Sequence, residues 1–445
     1  MDGLTQILAN AREGTLQSQS DDIKDQGRIL LKGGHVVDPL NAVDRVIDLV
    51  VAGGQIAEMG EDLSPESGDR ILDCEGLLVV PGLIDIHLHL GDLFEVSTQP
   101  IFEATQDGVT FALSPGAGNT LMAPALLGAE VDRGLPINLG VFIGAANLLG
   151  TMLTVEETIS MLKGELAPEI ATTRMTRNPI TALTAPMCIG IKDHMGHFLQ
   201  TDERVDALYR ITSEAGLLYM SHTQDPVHAE RIVSLSNGRP VHLGHANAAG
   251  TGTHGDPEES MARVLELTKQ PHVSAEFVTT MLRASLGSRE GLKMTKESQQ
   301  LAMESLHRGE VDILVSDGQL EATMKGFGDT RDNIPAILEL AEAGVLTLSQ
   351  AVATMTANPA RLLSERTRNS WWAKNTGHLG SGALGNVTVI NPHEKRAIWT
   401  LVNGEIVAFE SRSVRRGAGA GGWVSRWGMV RRTGVGDLTT FEYQK

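Results

Sequence analysis

Along most of the chain, apolar runs of strand length alternate with stretches whose apolar residues recur at helical spacing. Between residues 81 and 358 the strand-like runs are VTFALSP, INLGVFIGAAN, CIGIKDH, GLLYMSHT, PVHLGHAN, HVSAEFV and DILVSDG. The stretches with helical periodicity are 202–215, 257–268, 296–306 and 331–342. Counting GLIDIH as the first, eight buried strands alternate with helices. This order predicts the α/β class and a closed (β/α)₈ TIM barrel.

Both flanks of this region show a different pattern. Short β-like pieces broken by Gly, Asp and Pro precede it, as in ILLKGGHVVDP and RILDCEGLLVVPG, and LGNVTVINP and AIWTLVNGEIV follow it. We therefore expect a small β-sandwich domain, built from residues 28–80 and 378–408, beside a barrel of residues 81–377. Residues 1–27 are expected to form an N-terminal arm.

The last segment, residues 409–445, is glycine-rich and locally basic on an acidic protein. It carries Trp423 and Trp427, and two tryptophans four residues apart are costly to leave in water. We expect them to pack on a neighbouring subunit, which predicts a homo-oligomer. A free tail is the alternative.

Composition narrows the class of protein. The chain has 445 residues, is 41% hydrophobic and carries a formal net charge of −18, which disfavours nucleic acid and anionic membranes as partners. Cys74 and Cys188 lie far apart, so no disulfide framework is expected. Neither a membrane-spanning run nor the apolar core of a signal peptide is seen. A cytoplasmic protein with a small-molecule partner is expected.

Polar residues stand where predicted barrel strands end, which is where such barrels hold their chemistry. His87 and His89 end the first strand and, being two apart, point the same way. Converging imidazoles suit a divalent metal. Four further residues end later strands: Lys192, His222, His245 and Asp317. Any one of the histidines taken alone is more commonly a buried hydrogen-bonded side chain than a ligand, and the lysine alone could be a surface residue. Six in this order predict a metal site.

This order of ligand types resembles the amidohydrolase superfamily. VVPGLIDIH is similar to the opening motif of that superfamily, and TANPARLL and LGNVTVIN are similar to its closing stretches, so the resemblance extends from about residue 28 to 407. The lysine after the fourth strand places the chain near the binuclear dihydroorotase, hydantoinase and dihydropyrimidinase group. SHTQDPVHAER and VHLGHAN resemble that group's fifth- and sixth-strand motifs.

The resemblance implies two divalent metal ions, expected to be zinc, bridged by a carboxylated Lys192. A carbamate is an anion with two oxygens, which suits ions about 3.5–4 Å apart. The implied ligands of the two ions are His87, His89 and Asp317 for one, and His222 with His245 for the other. A bridging water would then become hydroxide near neutral pH. Asp317 is the expected catalytic group, which takes the hydroxide proton and delivers it to the leaving nitrogen.

Other polar residues lie close to these in the sequence. The candidates for substrate contact are Asn147, Asn247 and His254. His194 and His197, just past Lys192, either touch substrate or lie in the loop. His242 is an odd number of residues from His245, so we expect it on the opposite face with a structural role. Asp85 is expected either to support the ligands from a deeper layer or to be structural.

Two departures from the resembled group bear on the substrate. The loop after the third strand, GAANLLGTM, lacks the tyrosine of hydantoinase-type enzymes. LGDLFEVS, after the first histidines, is acidic where dihydroorotase-type enzymes have an arginine, so dihydroorotate is not the expected substrate. Lys325 and Arg331 are candidates for binding a substrate carboxylate.

Together these features predict a metal-dependent hydrolase that cleaves a carbon–nitrogen bond of a cyclic amide or imide. The alternatives are hydrolysis of an acyclic amide, as in N-acyl-amino-acid deacylases, and deamination of a ring. A non-enzymatic scaffold is disfavoured because every ligand is retained. The resemblance also implies a homotetramer, because tetramers are common in that group.

Overall fold

The computed structural model describes residues 27–90, 100–116, 119–194, 199–283, 293–319, 328–414 and 419–430. In chain order the strands of these residues are β1 (Ile29–Asp38), β2 (Val43–Ala52), β3 (Gln55–Gly60), β4 (Arg70–Asp73), β5 (Leu78–Pro81), β6 (Leu83–Asp85), β7 (Val109–Ser114), β8 (Asn138–Gly144), β9 (Gly190–Asp193), β10 (Leu218–His222), β11 (Val241–Gly244), β12 (Val273–Ala275), β13 (Phe277–Val278), β14 (Leu314–Val315), β15 (Val387–Asn391), β16 (Arg396–Val402), β17 (Glu405–Phe409), β18 (Arg412–Ser413), β19 (Trp423–Ser425) and β20 (Gly428–Val430).

The α-helices of the same residues are α1 (Ile101–Gln106), α2 (Ala123–Arg133), α3 (Ala145–Leu149), α4 (Val155–Leu162), α5 (Pro168–Arg174), α6 (Pro179–Thr184), α7 (Asp202–Ala215), α8 (Pro226–Leu235), α9 (Pro257–Thr268), α10 (Thr279–Leu282), α11 (Lys296–His307), α12 (Asn333–Glu342), α13 (Leu348–Ala353), α14 (Ala357–Thr367) and α15 (Trp371–Asn375). Short 3₁₀ turns cover Ala185–Met187, Ala246–Thr251 and Thr330–Asp332. None of the described helices is long and apolar enough to cross a membrane.

Seven parallel strands, β6 to β12, form one sheet in chain order. The seventh barrel strand changes neighbours at Glu276: β12 pairs with β11, whereas β13 pairs with β14. A parallel bridge between Leu88 and Gly318 then links the residues that follow β6 and β14. These pairings fit a TIM-like barrel, as the alternation of apolar strands and amphipathic helices predicts.

The helices around the barrel have local signals that fix their ends. Helix α7 begins after Thr201, whose hydroxyl accepts the backbone N–H of Arg204, and it has Asp202 and Glu203 in its first turn. It ends at Gly216, which takes the left-handed conformation that glycine adopts at little cost. Helices α7 and α9 have the bounds that their periodicity predicts, and α11 and α12 differ by at most two residues.

The flanking β-pieces form one sheet of nine strands, β1 to β5 with β15 to β18. The pairing of β15 with β5, which brings Val387 opposite Pro81, joins the two flanks of the barrel in that sheet. Its core includes Leu31, Leu49 and Val389. All nine strands belong to one hydrogen-bonded sheet, so the expected two-sheet sandwich is not confirmed. The domain boundaries drawn from the sequence stay predictions.

Residues 419–430 of the glycine-rich tail form a β-hairpin on the barrel. Strand β19 lies parallel to β8, with Trp423 opposite Leu139, and β20 returns antiparallel to β19. A Cβ atom at Gly421 would lie 1.9 Å from the carbonyl oxygen of Ile137, so this approach requires glycine. Trp423 is fully buried in its own chain. The expectation that it packs on another subunit is therefore wrong, because a cluster that includes Leu139 and Met187 already covers its indole.

Candidate metal centre

The polar residues predicted at the strand ends come together at one end of the barrel. His87 and His89 follow β6, Lys192 lies within β9, and His222 is the last residue of β10. His245 directly follows β11, and Asp317 comes two residues after β14. All six side chains are buried, with 1% to 8% of their surface exposed. This convergence follows from parallel strands whose carboxyl ends share one edge.

Asp317 is the centre of one half of the cluster. Its Oδ1 lies 2.9 Å from His89 Nε2 and 3.3 Å from His87 Nε2. Single donor atoms of His87, His245 and Asp317 all lie within 4.8 Å of one another. Two imidazole nitrogens and a carboxylate oxygen at this spacing can hold one divalent ion.

His245 connects this half to the second one. Its ring centroid lies 5.1 Å from that of His87 and 4.4 Å from that of His222. Lys192 lies between the halves, since a Cβ atom at Gly244 would be 3.0 Å from Lys192 Nζ and 3.2 Å from His87 Cε1. The missing side chain at residue 244 therefore gives the lysine amine and the imidazole room to approach each other.

The electrostatics favour neutral imidazoles. Burial, followed by the rings of His245 and His194 and the amine of Lys192, holds the pKa of His222 well below its ordinary value. Burial and Lys192 act in the same way on His245. Burial and Lys192 also lower the pKa of His87, although Glu276 and Asp317 oppose the shift. A neutral imidazole keeps a lone pair, which is the form that binds metal.

The donor set thus fits a divalent cation of the zinc type. Zinc prefers imidazole nitrogen and carboxylate oxygen, and a small group of buried donors gives it few water ligands. A bound cation would also offset the repulsion between the lone pairs of several buried side chains that face the same space. These side chains form the candidate metal centre, which we define as the set His87, His89, Lys192, His222, His245 and Asp317.

Two members of the candidate metal centre hold left-handed backbone conformations. The φ angles are +43° at His245 and +47° at Asp317, which are uncommon for residues other than glycine. Each N–H is held by a partner: His245 donates to Glu276 Oε1 at 3.1 Å, and Asp317 donates to the carbonyl of His87 at 2.9 Å. Because the chain leaves the strand alternation here, spacing along the sequence does not predict where His245 points.

Glu276 is a member of the site that sequence reasoning missed. It is fully buried between β12 and β13, and its carboxylate contacts the rings of both His87 and His242. Burial alone would raise the pKa of Glu276, but these two histidines outweigh it and hold the pKa below its ordinary value. A lone acidic residue within the apolar run HVSAEFV is the signal that could have found it.

His242 was expected on the face opposite His245. Instead both residues contact Glu276, His242 through its ring at 2.9 Å and His245 through its backbone N–H. The other ring nitrogen of His242 lies 2.9 Å from Ser274 Oγ. The expected separation is wrong because the left-handed residue 245 ends the alternation, while the structural role of His242 fits these contacts.

Asp85 ties two strands together beneath the candidate metal centre. Its Oδ1 accepts the backbone N–H of His87 at 3.2 Å, and its Oδ2 accepts the N–H of Ser316 at 3.1 Å. Burial raises the pKa of Asp85 to about 7, and hydrogen bonds to Ser316 and His87 limit the shift. Asn333 Nδ2 also donates to Oδ2 at 3.5 Å. The two backbone contacts, one of them to a residue of the candidate metal centre, favour the interpretation of Asp85 as a residue that supports the ligands.

The candidates for substrate contact lie in different surroundings. Asn247 is buried, and its amide group both donates to and accepts from the backbone of Val278, at 3.1 and 2.9 Å. These bonds favour a role in joining the loop after β11 to β13 over the predicted substrate contact. Asn147 is half-buried in α3, which directly follows β8. His254 is exposed in the loop before α9.

The ring of His194, the residue directly after β9, lies beside the candidate metal centre. Its half-buried ring is 4.7 Å from the ring of His222, centroid to centroid. Arg331, a candidate for binding a substrate carboxylate, is paired with Asp329, its Nη2 being 2.6 Å from Oδ2. His197 and Lys325 lie outside the described residues.

Comparison with known proteins agrees with this geometry. The family model described as "Amidohydrolase family" matches residues 78–407 of the 445. A dihydroorotase from a Geobacter species is 24% identical over 437 residues, which cover 85% of this chain and 99% of the relative. A dihydroorotase from Acetivibrio thermocellus is also 24% identical, covering 86% of this chain and 93% of the relative.

Solved structures show the same fold. A dihydropyrimidinase from Brevibacillus agri superposes with a TM-score of 0.65 at 16% identity, covering 90% of this chain and 99% of the other. An L-hydantoinase from Arthrobacter aurescens gives a TM-score of 0.64 at 15% identity, covering 89% and 99%. At these identities the likeness concerns the fold.

Proposed function

The chain belongs to the amidohydrolase family, and we propose that it is a metal-dependent hydrolase that opens a cyclic amide or imide at a carbon–nitrogen bond. Enzymes of this kind hydrolyse carbon–nitrogen bonds other than peptide bonds. The observation that carries the proposal is the meeting of His87, His245 and Asp317, with donor atoms within 4.8 Å of one another at the end of the barrel.

The candidate metal centre supports a site for two divalent ions, which we propose to be zinc. The Asp317 side of the cluster supplies His87 and His89, and the other side supplies His222 and His245. We propose that Lys192, carboxylated on Nζ, lies between the two sides. Bound ions would supply an activated water and would polarise the scissile carbonyl.

The chain's own groups then direct the proton. Asp317 Oδ1, which already lies against two imidazoles, is the proposed acceptor of the proton from the attacking water. The same oxygen delivers that proton to the ring nitrogen that leaves. Burial of the cluster excludes bulk water and strengthens each of these interactions.

The substrate class rests on the comparisons and on the sequence around the site. The relatives named above are dihydroorotases, and the solved structures are a dihydropyrimidinase and an L-hydantoinase. The segment after His89 reads LGDLFEVS and carries two acidic residues, Asp92 and Glu95, which lie outside the described residues. An acidic segment repels a substrate carboxylate, so we propose a ring without one, such as a hydantoin or a dihydropyrimidine.

The cellular location and the number of subunits of the enzyme are also proposals. We propose a cytoplasmic homo-oligomer, with a tetramer as the expected size. Because Trp423 is buried in its own chain, its indole gives no support for that assembly. The mass in solution, measured by light scattering, tests the number of subunits.

Metal analysis and a substrate panel test the proposed activity. We expect two zinc ions per chain. We also expect ring opening of hydantoin and dihydrouracil, measured as the loss of ring absorbance, and slower opening of dihydroorotate. N-acyl amino acids, assayed by amine release, and aminated rings, assayed by ammonia release, are the controls. Turnover of either control in preference to the cyclic amides would move the function to deacylation or deamination. A chain that binds no metal and turns over none of them would be a scaffold.

A further inference from the structure

The carboxylate of Glu276 has partners on three sides. Its Oε1 contacts His87 Nδ1 and accepts the backbone N–H of His245 at 3.1 Å. Its Oε2 lies 2.9 Å from His242 Nε2. Side chains of this kind are seldom fully buried unless they are paired, and Glu276 is 0% exposed. Every one of these contacts involves a histidine, and two of those histidines belong to the candidate metal centre.

The contact with His87 fixes which ring nitrogen carries the proton. An ionised carboxylate accepts hydrogen bonds and donates none, so His87 donates from Nδ1. The lone pair is then on Nε2, the atom that lies 3.3 Å from Asp317 Oδ1. A histidine that ligates metal through one nitrogen is commonly oriented by a carboxylate on the other.

The contact with His245 acts on the backbone instead. A left-handed residue other than glycine is strained and persists only where its surroundings hold it. At His245 the same Oε1 that orients His87 accepts the strained residue's N–H, and the N–H of Ala246 donates to the backbone carbonyl of Glu276 at 2.8 Å. Glu276 therefore holds both the ring of one ligand and the backbone of the other.

The remaining oxygen of Glu276 is anchored. His242 bridges it to Ser274 Oγ, with 2.9 Å at each end of the imidazole. The bridging imidazole and its anchor belong to neighbouring strands, since His242 lies in β11 and Ser274 in β12. The position of the carboxylate is thus set by the sheet itself.

We propose that Glu276 is a positioning residue for metal binding, which fixes the tautomer of His87 and the left-handed backbone of His245 so that each histidine faces into the candidate metal centre. This inference rests on the proposed function, because it assigns these two histidines to a metal. It concerns a residue that touches neither metal nor substrate.

Three variants test this role: Glu276→Gln, Glu276→Leu and, as a control, Asp107→Asn. Gln keeps a carbonyl that can accept from His87 and His245 but removes the charge, whereas Leu removes every acceptor. Asp107 is a second carboxylate that is largely buried, and its bond is to Thr330, away from the histidines. Zinc affinity of the metal-free proteins, measured by competition with a chelator, should fall about tenfold in the Gln variant and about a hundredfold in the Leu variant. The control should bind zinc like the wild type.

A second measurement needs no metal. Ring nitrogen spectra of the metal-free, ¹⁵N-histidine-labelled protein, with the His87 signals assigned from a His87→Asn variant, should show a proton on Nδ1 in the wild type. The Leu variant should lose this preference. An unchanged tautomer together with an unchanged zinc affinity overturns the proposal. So does a loss of affinity no larger than the loss of folded protein in thermal unfolding, because it indicates a purely structural role. If the wild type binds no zinc, the proposed function fails, and the tautomer measurement alone decides the role of Glu276.

Discussion

The backbone N–H of Asp317 donates to the backbone carbonyl of His87 at 2.9 Å. This bond joins the ends of the first and last barrel strands, next to the bridge between Leu88 and Gly318. The two residues are 230 positions apart in the chain, yet closing the barrel places the carboxylate of one beside the ring of the other. The arrangement of the candidate metal centre is therefore a consequence of barrel closure.

Replacement of Lys192 by alanine should remove most of the bound metal and nearly all turnover. Lys192 is 1% exposed and its amine acts on three nearby histidines, His87, His222 and His245, where a permanent ammonium would repel bound cations. The loss should exceed the ten- to about hundredfold cost of removing a group that only orients a ligand. Metal content and kcat/KM of the purified variant measure both effects.

The control for this change is Lys269→Ala. Lys269 is exposed and pairs with Glu266 on the surface, so its loss should leave metal and rate unchanged. Short carboxylic acids added with zinc should partly restore Lys192→Ala, because they can stand in for a carbamate. Lys192→Arg should not respond, since a guanidinium cannot form one. A Lys192→Ala protein with two metals and the wild-type rate would contradict the role of a carboxylated Lys192 as the bridge between the ions.

The sequence predicts which strand ends carry the residues of the candidate metal centre, but not the residues that support them. His87 and His89 are readable because strand alternation sends both to one side. Glu276 and the left-handed turn at His245 are not, because each depends on contacts between strands that are far apart in the chain. A single buried glutamate shows no periodicity, and its partners come from two distant segments, His87 after β6 and His242 with His245 at β11.

Replacement of Gly244 by alanine should weaken metal binding without unfolding the barrel. The added methyl group would lie 3.0 Å from Lys192 Nζ and 3.2 Å from His87 Cε1, so both groups must move away from it. The backbone at residue 244 is not left-handed, so alanine itself is tolerated there. Zinc competition should show a loss of about tenfold, comparable to disturbing an outer partner of a ligand.

Gly60→Ala is the matched control for this glycine. Its added methyl group would lie 3.1 Å from Leu63 Cδ2, which is equally tight, but this contact is in the sheet outside the barrel. Equal zinc affinity in the two variants would show that the space at residue 244 does not matter for the metal.

The fold shows the same division between what the sequence predicts and what it does not. Long amphipathic stretches such as α7 and α9 are predicted with their bounds, because periodicity and capping residues agree. The hairpin β19–β20 was missed because each of its strands has three residues, too few for alternation to show. Whether the flanking strands form one sheet or two is likewise set by pairing partners, which an alternating pattern does not reveal.

The carboxyl group of Asp107 should make stability depend on pH. Burial and the nearby Asp329 raise its pKa to about 7, although Thr330 and Arg331 limit the shift, and Glu103 adds to it. Between about pH 4 and pH 7 the folded state keeps a proton that the unfolded state has lost, so stability falls as the pH rises, by at most about 1.4 kcal/mol per unit. Above pH 7 the full penalty of burying the ionised group is present.

Denaturant unfolding of the wild type and Asp107→Asn between pH 5 and pH 8 isolates this effect. The amide has no charge to bury, so the variant should gain stability relative to the wild type as the pH rises. All other titrating groups, including the histidines, are common to both proteins and cancel in the difference. A difference that stays constant across this range would mean that Asp107 does not titrate there.

Replacement of Trp423 by alanine should destabilise the barrel rather than an assembly. The indole is fully buried against a cluster that includes Leu139 and Met187, and deleting a buried tryptophan typically costs about 3–5 kcal/mol. Trp423→Phe should lose less, because the indole N–H has no hydrogen-bond partner in the described part of the chain and its removal forfeits no bond.

Trp427→Ala is the matched control: that ring is half-buried under the guanidinium of Arg426, at 4.2 Å, and a cation–π contact of this kind contributes about 0.5–1 kcal/mol. The denaturant midpoint should therefore be lowered least in Trp427→Ala, more in Trp423→Phe and most in Trp423→Ala. The mass in solution should be unchanged in all three. A Trp423→Ala protein that kept its unfolding midpoint but changed its number of subunits would restore the tail as a contact between subunits.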